Sequence, residues 1–309
     1  MIFPEDFARK DFVVSRIAVP DHSSITHDRR ELKYKLSQAH ASAFAARVAA
    51  RIPMHRFQGK GANNLPRARH YVTTVYFDTP SRELYHAVRA DGDSLKVRAR
   101  EYYDVHPELA EIANHAHELV RYTPVLWIEI KGKADGRTYK RRIGIPKGDV
   151  APFFERGEVS QAIRDIQRSS QGSQADDVIH DLLALRSSFR EPLRASCIVN
   201  YRRTAFEDGA GSLRVTFDQR VSCFAAQETI WSSSHALVRE VLGIPSYEEP
   251  GYIVEIKAVG ELPSWLCELL LETGAVEHSF SKFVTASETV FGAPTGNDRA
   301  GHAGALGTR

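Results

Sequence analysis

Residues 94–102 read SLKVRAREY, and the alternation in this stretch decides the fold class. Successive side chains of a β-strand point to opposite faces of the sheet. Leucine, valine and alanine therefore take one face of the segment, and the long basic side chains take the other: Lys96, Arg98 and Arg100. The alternation predicts a half-buried strand with one apolar face and one basic face.

Similar segments recur along the chain. Short runs rich in β-branched or aromatic residues predict further strands, and they lie at 30–36, 71–78, 125–133, 138–145, 195–206, 211–217 and 251–258. Asp135 with Gly136, and the EDGAG stretch at 207–211, are hairpin turn signals between neighbouring strands. This spacing favours an antiparallel meander or barrel over βαβ units.

Helices are predicted at fewer places. Ser37 is an N-cap for a helix that runs to about Arg51 and carries Phe44, Val48 and Ile52 on one face. Other candidate helices lie at 107–121, 176–189, 234–242 and 263–273. Polar stretches at 55–70 and 168–177 predict loops or linkers between these elements.

One face of nearly every predicted strand carries long, mostly basic side chains. Residues of equal parity fall into these groups: Glu31, Lys33 and Lys35; Lys96, Arg98 and Arg100; Glu129, Lys131 and Lys133; Lys140 and Arg142; Arg214 and Asp218; Glu255 and Lys257. These basic faces could contact solvent, nucleic acid or another polyanion.

Two ordinary explanations compete with a binding site. A half-buried antiparallel sheet normally has a solvated charged face, which explains any single strand. Solvated faces usually mix charge signs, however, and here Lys-x-Arg-x-Arg and Lys-x-Lys stand uninterrupted. A sheet that binds nucleic acid would interleave aromatic residues with the basic ones, which Tyr34, Tyr76, Trp127 and Phe217 do not do. We therefore predict a common polyanion site and no nucleic-acid partner.

The predicted strands can bring their charged faces together if the sheet closes into a barrel. In a barrel of about eight strands, one face points to a lumen that holds side chains or one small ligand. The predicted fold is α+β: a closed antiparallel β-barrel that forms a tunnel with a basic lumen and is covered outside by helices. About ten Lys and Arg side chains in a lumen require pairing or a ligand. A chain of phosphates with a divalent cation is the natural ligand.

The composition of the chain limits the class of protein to which it can belong. The 309 residues include 41 Lys and Arg against 39 Asp and Glu, so the net charge of +2 excludes a strongly basic or acidic protein by count. With 42% hydrophobic and 26% charged residues, the chain is ordinary globular in composition. The predicted organisation is a partly ordered extension at 1–26, one domain at 27–291 and a flexible tail at 292–309.

The predicted location is cytoplasmic. No apolar run approaches the roughly 20 residues that span a bilayer, and the N-terminal stretch lacks the layout of a secretion signal. The three cysteines, Cys197, Cys223 and Cys267, are far apart and without CxxC spacing. We expect them to be reduced.

The motifs in order resemble the triphosphate tunnel metalloenzyme (CYTH-like) superfamily, and within it the VTC (vacuolar transporter chaperone) domain of the polyphosphate polymerase branch. The matching stretches are ELKYKL at 31–36, TTVYFDT at 73–79, KVRAREY at 96–102, WIEIKGK at 127–133, YKRRIGI at 139–145, NYRRTAFED at 200–208, LRVTFDQ at 213–219, IVEIKA at 253–258 and SFSKF at 279–283. Lys33 replaces the middle residue of the superfamily's Glu-x-Glu-x-Lys, which favours the polymerase branch. Ser279 stands where the polymerases often have a lysine, and Lys282 is kept.

The resemblance implies roles for individual residues. It implies phosphate contacts at Lys33, Arg98, Arg100, Lys131, Lys140, Arg203, Arg214 and Lys282, with Lys131, Arg98, Arg100 and Lys282 nearest the chemistry. Lys96, Lys133, Arg142 and Lys257 share the same faces and are further candidates. Glu255 falls on the family's metal-binding glutamate. Glu31, Glu129 and Asp218 could ligate the metal or pair with cations of the lumen, and pairing is the expected role because buried charges are usually paired.

The implied reaction is transfer of the ATP γ-phosphate to a growing polyphosphate chain with Mn²⁺ or Mg²⁺, an ATP-polyphosphate phosphotransferase activity. Two other functions remain open: a metal-dependent triphosphatase or short-chain polyphosphatase, and a non-catalytic module that binds polyphosphate or inositol phosphates. The expected partners are ATP and polyphosphate. The resemblance also implies a separate membrane-protein partner that would bring the domain to a membrane.

Overall fold

The structure is a computed structural model, and it describes residues 29–58, 66–67, 69–90, 95–103, 125–134, 137–171, 175–232 and 237–293. The predicted N-terminal extension, the tail beyond 293, the helix at 107–121 and the turn residues Asp135 and Gly136 lie outside these residues.

Strands are the main regular element of the described chain. They are β1 (Arg29–Leu36), β2 (Phe57–Gln58), β3 (Pro66–Arg67), β4 (Arg69–Asp78), β5 (Leu95–Tyr103), β6 (Val125–Ala134), β7 (Arg137–Pro146), β8 (Arg194–Glu207), β9 (Leu213–Ala225), β10 (Tyr247–Glu248) and β11 (Tyr252–Val259). The main sheet has nine strands in the order β1-β11-β9-β8-β4-β5-β6-β7, with β10 also paired to β9. Its pairings are antiparallel, as predicted.

The helices lie between the strands along the chain. They are α1 (Gln38–Ala49), α2 (Glu83–Ala90), α3 (Val150–Arg156), α4 (Gln161–Gln171), α5 (Ala175–Ser188), α6 (Arg239–Leu242), α7 (Ser264–Glu272) and α8 (Lys282–Phe291). The α+β class is therefore confirmed. The Ser37 hydroxyl caps α1 by accepting a hydrogen bond from the His40 amide at 3.3 Å, as predicted.

The sheet is strongly curled. In the strand order, β6 lies six steps from β1, and in a flat sheet six steps would separate them by about 29 Å. Yet the Lys131 Nζ atom on β6 is 4.0 Å from the Glu31 Oε2 atom on β1. The face that carries these two side chains is therefore concave.

The prediction of a closed barrel is wrong. Within the described ranges, no hydrogen-bonded pairing joins β1 to β7. The two edges are covered by other segments: the His278 amide donates to the Lys33 carbonyl at 2.7 Å, and the Gln167 side chain reaches the Gly144 carbonyl at 3.5 Å. Because both edges have other neighbours, the sheet stays an open, curled one.

Two apolar clusters join the helices to the sheet, mainly on its outer face. α1 and α7 pack on β1, β11 and β9 through residues such as Phe44 and Leu266. α3, α4 and α5 belong to the second cluster, with β4 to β7, where Phe77 stacks on Phe154 with ring centroids 4.0 Å apart. Burial of these apolar faces is the main stabilisation of the fold. It also leaves the opposite, charged face as the inner surface of the curl.

The position of α8 differs from the prediction that the helices cover only the outer face of the sheet. Tyr76 shares the concave face with Arg98, its cross-strand partner on β5, and its ring lies 5.0 Å from that of Phe283 on α8. The helix therefore packs against one part of the concave face. Its first residue, Lys282, points its ammonium group to Asp218 on β9.

Other differences from the sequence prediction are local. Most of the loop expected at 168–177 is helical, because α4 extends to Gln171 and α5 begins at Ala175. The helix expected at 234–242 is observed only as α6, and residues 233–236 lie outside the described chain. α2, α3, α4 and α8 are helices that the sequence did not predict. In the part of the chain that the structure describes, no helix is long and apolar enough to cross a membrane.

Candidate functional site

The concave face of the main sheet carries the predicted cations, and we call it the basic cleft. It is defined by eleven described side chains: Lys33, Lys96, Arg98, Arg100, Lys131, Lys140, Arg142, Arg203, Arg214, Lys257 and Lys282. Cross-strand register places the ten cations of the strands on one face. Lys133 lies on β6 with the same parity, but its side chain is outside the described part of the chain.

Glu129 is the centre of the first cluster in the basic cleft. Its fully buried carboxylate lies 2.8 Å from Arg98 Nη2, 2.9 Å from Lys140 Nζ, 3.5 Å from Arg100 Nη1 and 3.8 Å from Arg142 Nε. Burial alone would raise the pKa of Glu129, but Arg100, Arg98 and Lys140 outweigh it and hold the pKa at about 2. The carboxylate is therefore an ionised counter-ion shared by four cations.

Asp218 is the centre of the second cluster. Arg203 donates two hydrogen bonds to the two carboxylate oxygens at 2.6 and 2.7 Å, and Lys282 donates a third at 2.6 Å. Burial would raise the pKa of this carboxyl, yet Arg203 and Lys282 lower it below its usual value. The Tyr201 ring lies 4.8 Å from the Lys282 ammonium and completes the cluster.

Glu31 and Glu255 form the third cluster, on β1 and β11. The Lys257 ammonium lies 2.7 Å from a Glu255 oxygen and 3.3 Å from a Glu31 oxygen, while Lys33 lies 3.0 Å from Glu31. Burial would raise the pKa of Glu255, but Lys257 and nearby cations hold that pKa far below its usual range. Both carboxylates are thus ionised at neutral pH.

This third cluster fits a divalent cation. Carboxylate oxygens are the donors that Mg²⁺ and Mn²⁺ accept in proteins, with phosphate oxygens and water as further ligands. The Glu255 side chain is 12% exposed and that of Glu31 is 31% exposed, so both can be reached from the cleft. Among the residues described, no group of three or more His, Cys, Asp or Glu side chains gathers around one point. A metal here would therefore need oxygens from its phosphate ligand.

Lys96 differs from the other cations of the basic cleft. Its β6 neighbour in the register is Lys131, and none of the contacts of the described chain gives it a hydrogen bond or an ion pair. Burial lowers the pKa of Lys96 to about 8, and Lys131, Lys33 and Arg98 act in the same direction. Positive charge is therefore in excess at this part of the cleft.

Some cleft residues were not predicted from the sequence. Tyr76, Tyr201 and His70 share the concave face with the cations. Tyr201 has the same parity as Arg203 on β8, which was the signal in the sequence, whereas the register that places Tyr76 and His70 is not visible in the sequence. The expectation that Tyr76 and Trp127 do not lie among the basic residues is wrong, because Trp127 also pairs with Arg100 in the register. Burial, together with Arg203, lowers the pKa of His70 to about 3, so its imidazole is neutral. By contrast, Glu31, Glu129 and Asp218 form ion pairs with cations of the cleft, which is the pairing expected from the sequence.

The cleft described above lies within the part of the chain that matches a known protein family. The VTC domain family model matches residues 28–291, which is most of the chain. The chain belongs to the VTC domain family. The resemblance seen in the motifs is thereby confirmed, and the VTC domain is the polyphosphate polymerase domain of the CYTH-like tunnel fold. A comparison with curated proteins finds no match.

The VTC domain supplies a surface suited to a long polyanion. Guanidinium groups grip phosphate oxygens in a fork, whereas lysines act as point charges. In this VTC domain both kinds line the cleft, and the carboxylates at its three centres already neutralise part of their charge. A phosphate chain would exchange these internal partners for its own oxygens.

Proposed function

We propose that this protein is a polyphosphate polymerase that transfers the γ-phosphate of ATP to the end of a polyphosphate chain. The observation that carries the proposal is the basic cleft, in which cations from seven strands and one helix face a common space. Membership of the VTC family supports the same conclusion. Charges of one sign gathered in this way are destabilising unless an anion lies among them.

The length of the cleft favours a chain of phosphates over a single phosphate. Lys96, Arg98 and Arg100 follow one another at every second residue of β5, so the row is about 13 Å long. Lys131 and Lys140 continue it sideways, because the register sets them beside Lys96 on β6 and β7. A ligand with several phosphates in line can contact the whole row at once.

The protonation states in the cleft favour transfer to a phosphate over hydrolysis. An effective general base has a pKa near the operating pH. The pKa of Glu129 is about 2 and that of His70 is about 3, so both are weak bases for activating water. A terminal phosphate is already an anion and needs no such base. The barrier that remains is electrostatic, and cations that neutralise the transferred group lower it.

The residues of the cleft would have different roles in this reaction. Arg98, Arg100, Lys131 and Lys282 would contact the transferred group, while the remaining cations would hold the nucleotide and the chain. Glu255 would hold Mn²⁺ or Mg²⁺, with Glu31 beside it. When bound, the metal supplies further charge neutralisation at phosphate oxygens. Side chains that are paired before the reaction are already oriented, which reduces the reorganisation that the reaction requires.

The test is a product assay on the purified full chain with ATP and Mn²⁺. Long phosphate chains and ADP, separated on a gel, are the expected products. Release of orthophosphate from tripolyphosphate would instead identify a hydrolase. Tight binding of polyphosphate without turnover would identify a binding module.

Variants connect the activity to the cleft. Lys131→Ala and Glu255→Ala are each expected to reduce chain synthesis by at least about 100-fold. Arg47→Gln is the matched control for Lys131→Ala, because Arg47 pairs with Glu272 on the exposed surface and the variant also loses one positive charge. Glu272→Gln, which loses one negative charge from the same pair, is the control for Glu255→Ala. Synthesis that is unchanged in both cleft variants would show that the cleft is not the active site.

A further inference from the structure

Lys257 occupies the space between two carboxylates that repel each other. In the register of β1 and β11, Glu31 lies opposite Lys257 and Lys33 lies opposite Glu255. The two glutamates are therefore diagonal neighbours on one face, which is within reach of long side chains, and the charge of Glu255 acts to raise the pKa of Glu31. The Lys257 ammonium lies 2.7 Å from Glu255 and 3.3 Å from Glu31, so it bridges them.

The same oxygens are the ones that would hold a divalent cation. An ammonium group and a metal ion cannot both lie between these two carboxylates at bonding distance. Lys257 is 31% exposed, and its four-carbon stem lets the ammonium swing away into the cleft. The position between Glu31 and Glu255 thus has two possible cationic occupants.

We infer that Lys257 holds the cation position between Glu31 and Glu255 when no metal is bound, and that metal binding transfers its ammonium to the phosphate ligand. This inference rests on the metal position of the proposed function. Before binding, the ammonium neutralises the carboxylates. After binding, the metal does so, and the released ammonium adds a phosphate contact beside it. Metal and polyphosphate therefore strengthen each other's binding, as reciprocal coupling requires.

Lys257→Met tests the inference, because methionine keeps much of the side-chain length and loses the charge. Manganese binding is measured on the full chain by calorimetry with MnCl₂ alone, without nucleotide or phosphate. We expect Mn²⁺ to bind about tenfold more tightly to the variant, because the ammonium group that bridges the two carboxylates no longer has to be displaced. With saturating Mn²⁺, tripolyphosphate should bind about tenfold more weakly, because one contact is lost.

Two control variants separate this role from general effects. Lys257→Arg keeps the positive charge and should bind Mn²⁺ like the unchanged protein. Arg47→Gln removes a positive charge far from the cleft and should also leave Mn²⁺ affinity unchanged. A loss of structure would weaken both ligands together, whereas the inference requires opposite changes for Mn²⁺ and tripolyphosphate.

The outcomes distinguish this inference from the proposed function. If the unchanged protein binds Mn²⁺ and Glu255→Gln does not, but Lys257→Met has equal or weaker Mn²⁺ affinity, the exchange by Lys257 is wrong and the metal site stands. If Glu255→Gln binds Mn²⁺ as well as the unchanged protein does, the metal site fails and the inference fails with it.

Discussion

Replacement of Glu129 by glutamine removes the counter-ion of four cations without changing the size of the side chain. The carboxylate is fully buried, and its closest partners, Arg98 and Lys140, lie at 2.8 and 2.9 Å. A neutral amide at this position leaves their charges without compensation. We therefore expect Glu129→Gln to destabilise the fold and at the same time to increase affinity for polyanions.

The magnitude follows from the pKa of Glu129. It falls from an ordinary value of 4.5 to about 2, and one pKa unit corresponds to 1.36 kcal/mol. The ionised carboxylate therefore contributes roughly 3 kcal/mol to the free energy of unfolding at pH 7. Because folding lowers the pKa, this contribution is complete above pH 4.5 and is lost as the pH falls towards 2. The two proteins should become equally stable at that acidic limit.

Urea denaturation at several pH values, with and without tripolyphosphate, measures both effects. At pH 7 the variant should lose about 3 kcal/mol of unfolding free energy. Tripolyphosphate at 100 times its dissociation constant should restore about 2.7 kcal/mol, and the variant should need less of it than the unchanged protein.

Glu272→Gln is the control, because Glu272 belongs to an exposed pair with Arg47 and its loss should change stability by less than about 0.5 kcal/mol. If Glu129→Gln is as stable as the unchanged protein at pH 7, the carboxylate does not stabilise the cation cluster. A stability difference that stays constant from pH 7 to pH 3 would assign the loss to packing instead of charge.

Three further predictions concern other parts of the fold. The affinity for tripolyphosphate should fall about tenfold between pH 7 and pH 9 as Lys96 loses its proton, and calorimetry on Lys96→Arg should show a flatter profile; equal profiles would contradict the role of Lys96. Lys282→Met should cost about 2 kcal/mol in urea denaturation, because fully buried Asp218 keeps only Arg203 as a charged partner; an unchanged midpoint would refute this. Gly144→Ala should lower stability by about 1–3 kcal/mol, because its new methyl group would lie 2.6 Å from Ile166 Cγ2, and thermal unfolding would disprove the close contact if the midpoint did not fall.

The strand faces were predictable from the sequence because parity is a local property. Lys96, Arg98 and Arg100 needed no knowledge of the fold to be placed on one face. The register then showed that the groups on neighbouring strands also share that face. The concave surface follows from this pattern, since the apolar side is the one that helices can cover.

Closure and the position of α8 were not predictable in the same way. Whether β1 meets β7 depends on which segments reach their edges, and His278 and Gln167 come from distant parts of the chain. α8 carries its one cation, Lys282, at its start, and its packing against Tyr76 is a tertiary contact. The sharing of Glu129 by four cations likewise depends on which three strands lie side by side in the sheet, and the sequence alone does not show that order.

The missing backbone ladder between β1 and β7 has a mechanical consequence. In the described part of the chain, the contact that spans the cleft between β1 and β6 is the ion pair of Lys131 with Glu31, and an ion pair with partly exposed partners weakens in salt. The width of the opening therefore depends on this ion pair as well as on the curvature of the sheet. A polyanion that attracts Lys131 would also break this ion pair. The ligand would thereby loosen the opening between β1 and β6, through which it can enter or leave the cleft from the side.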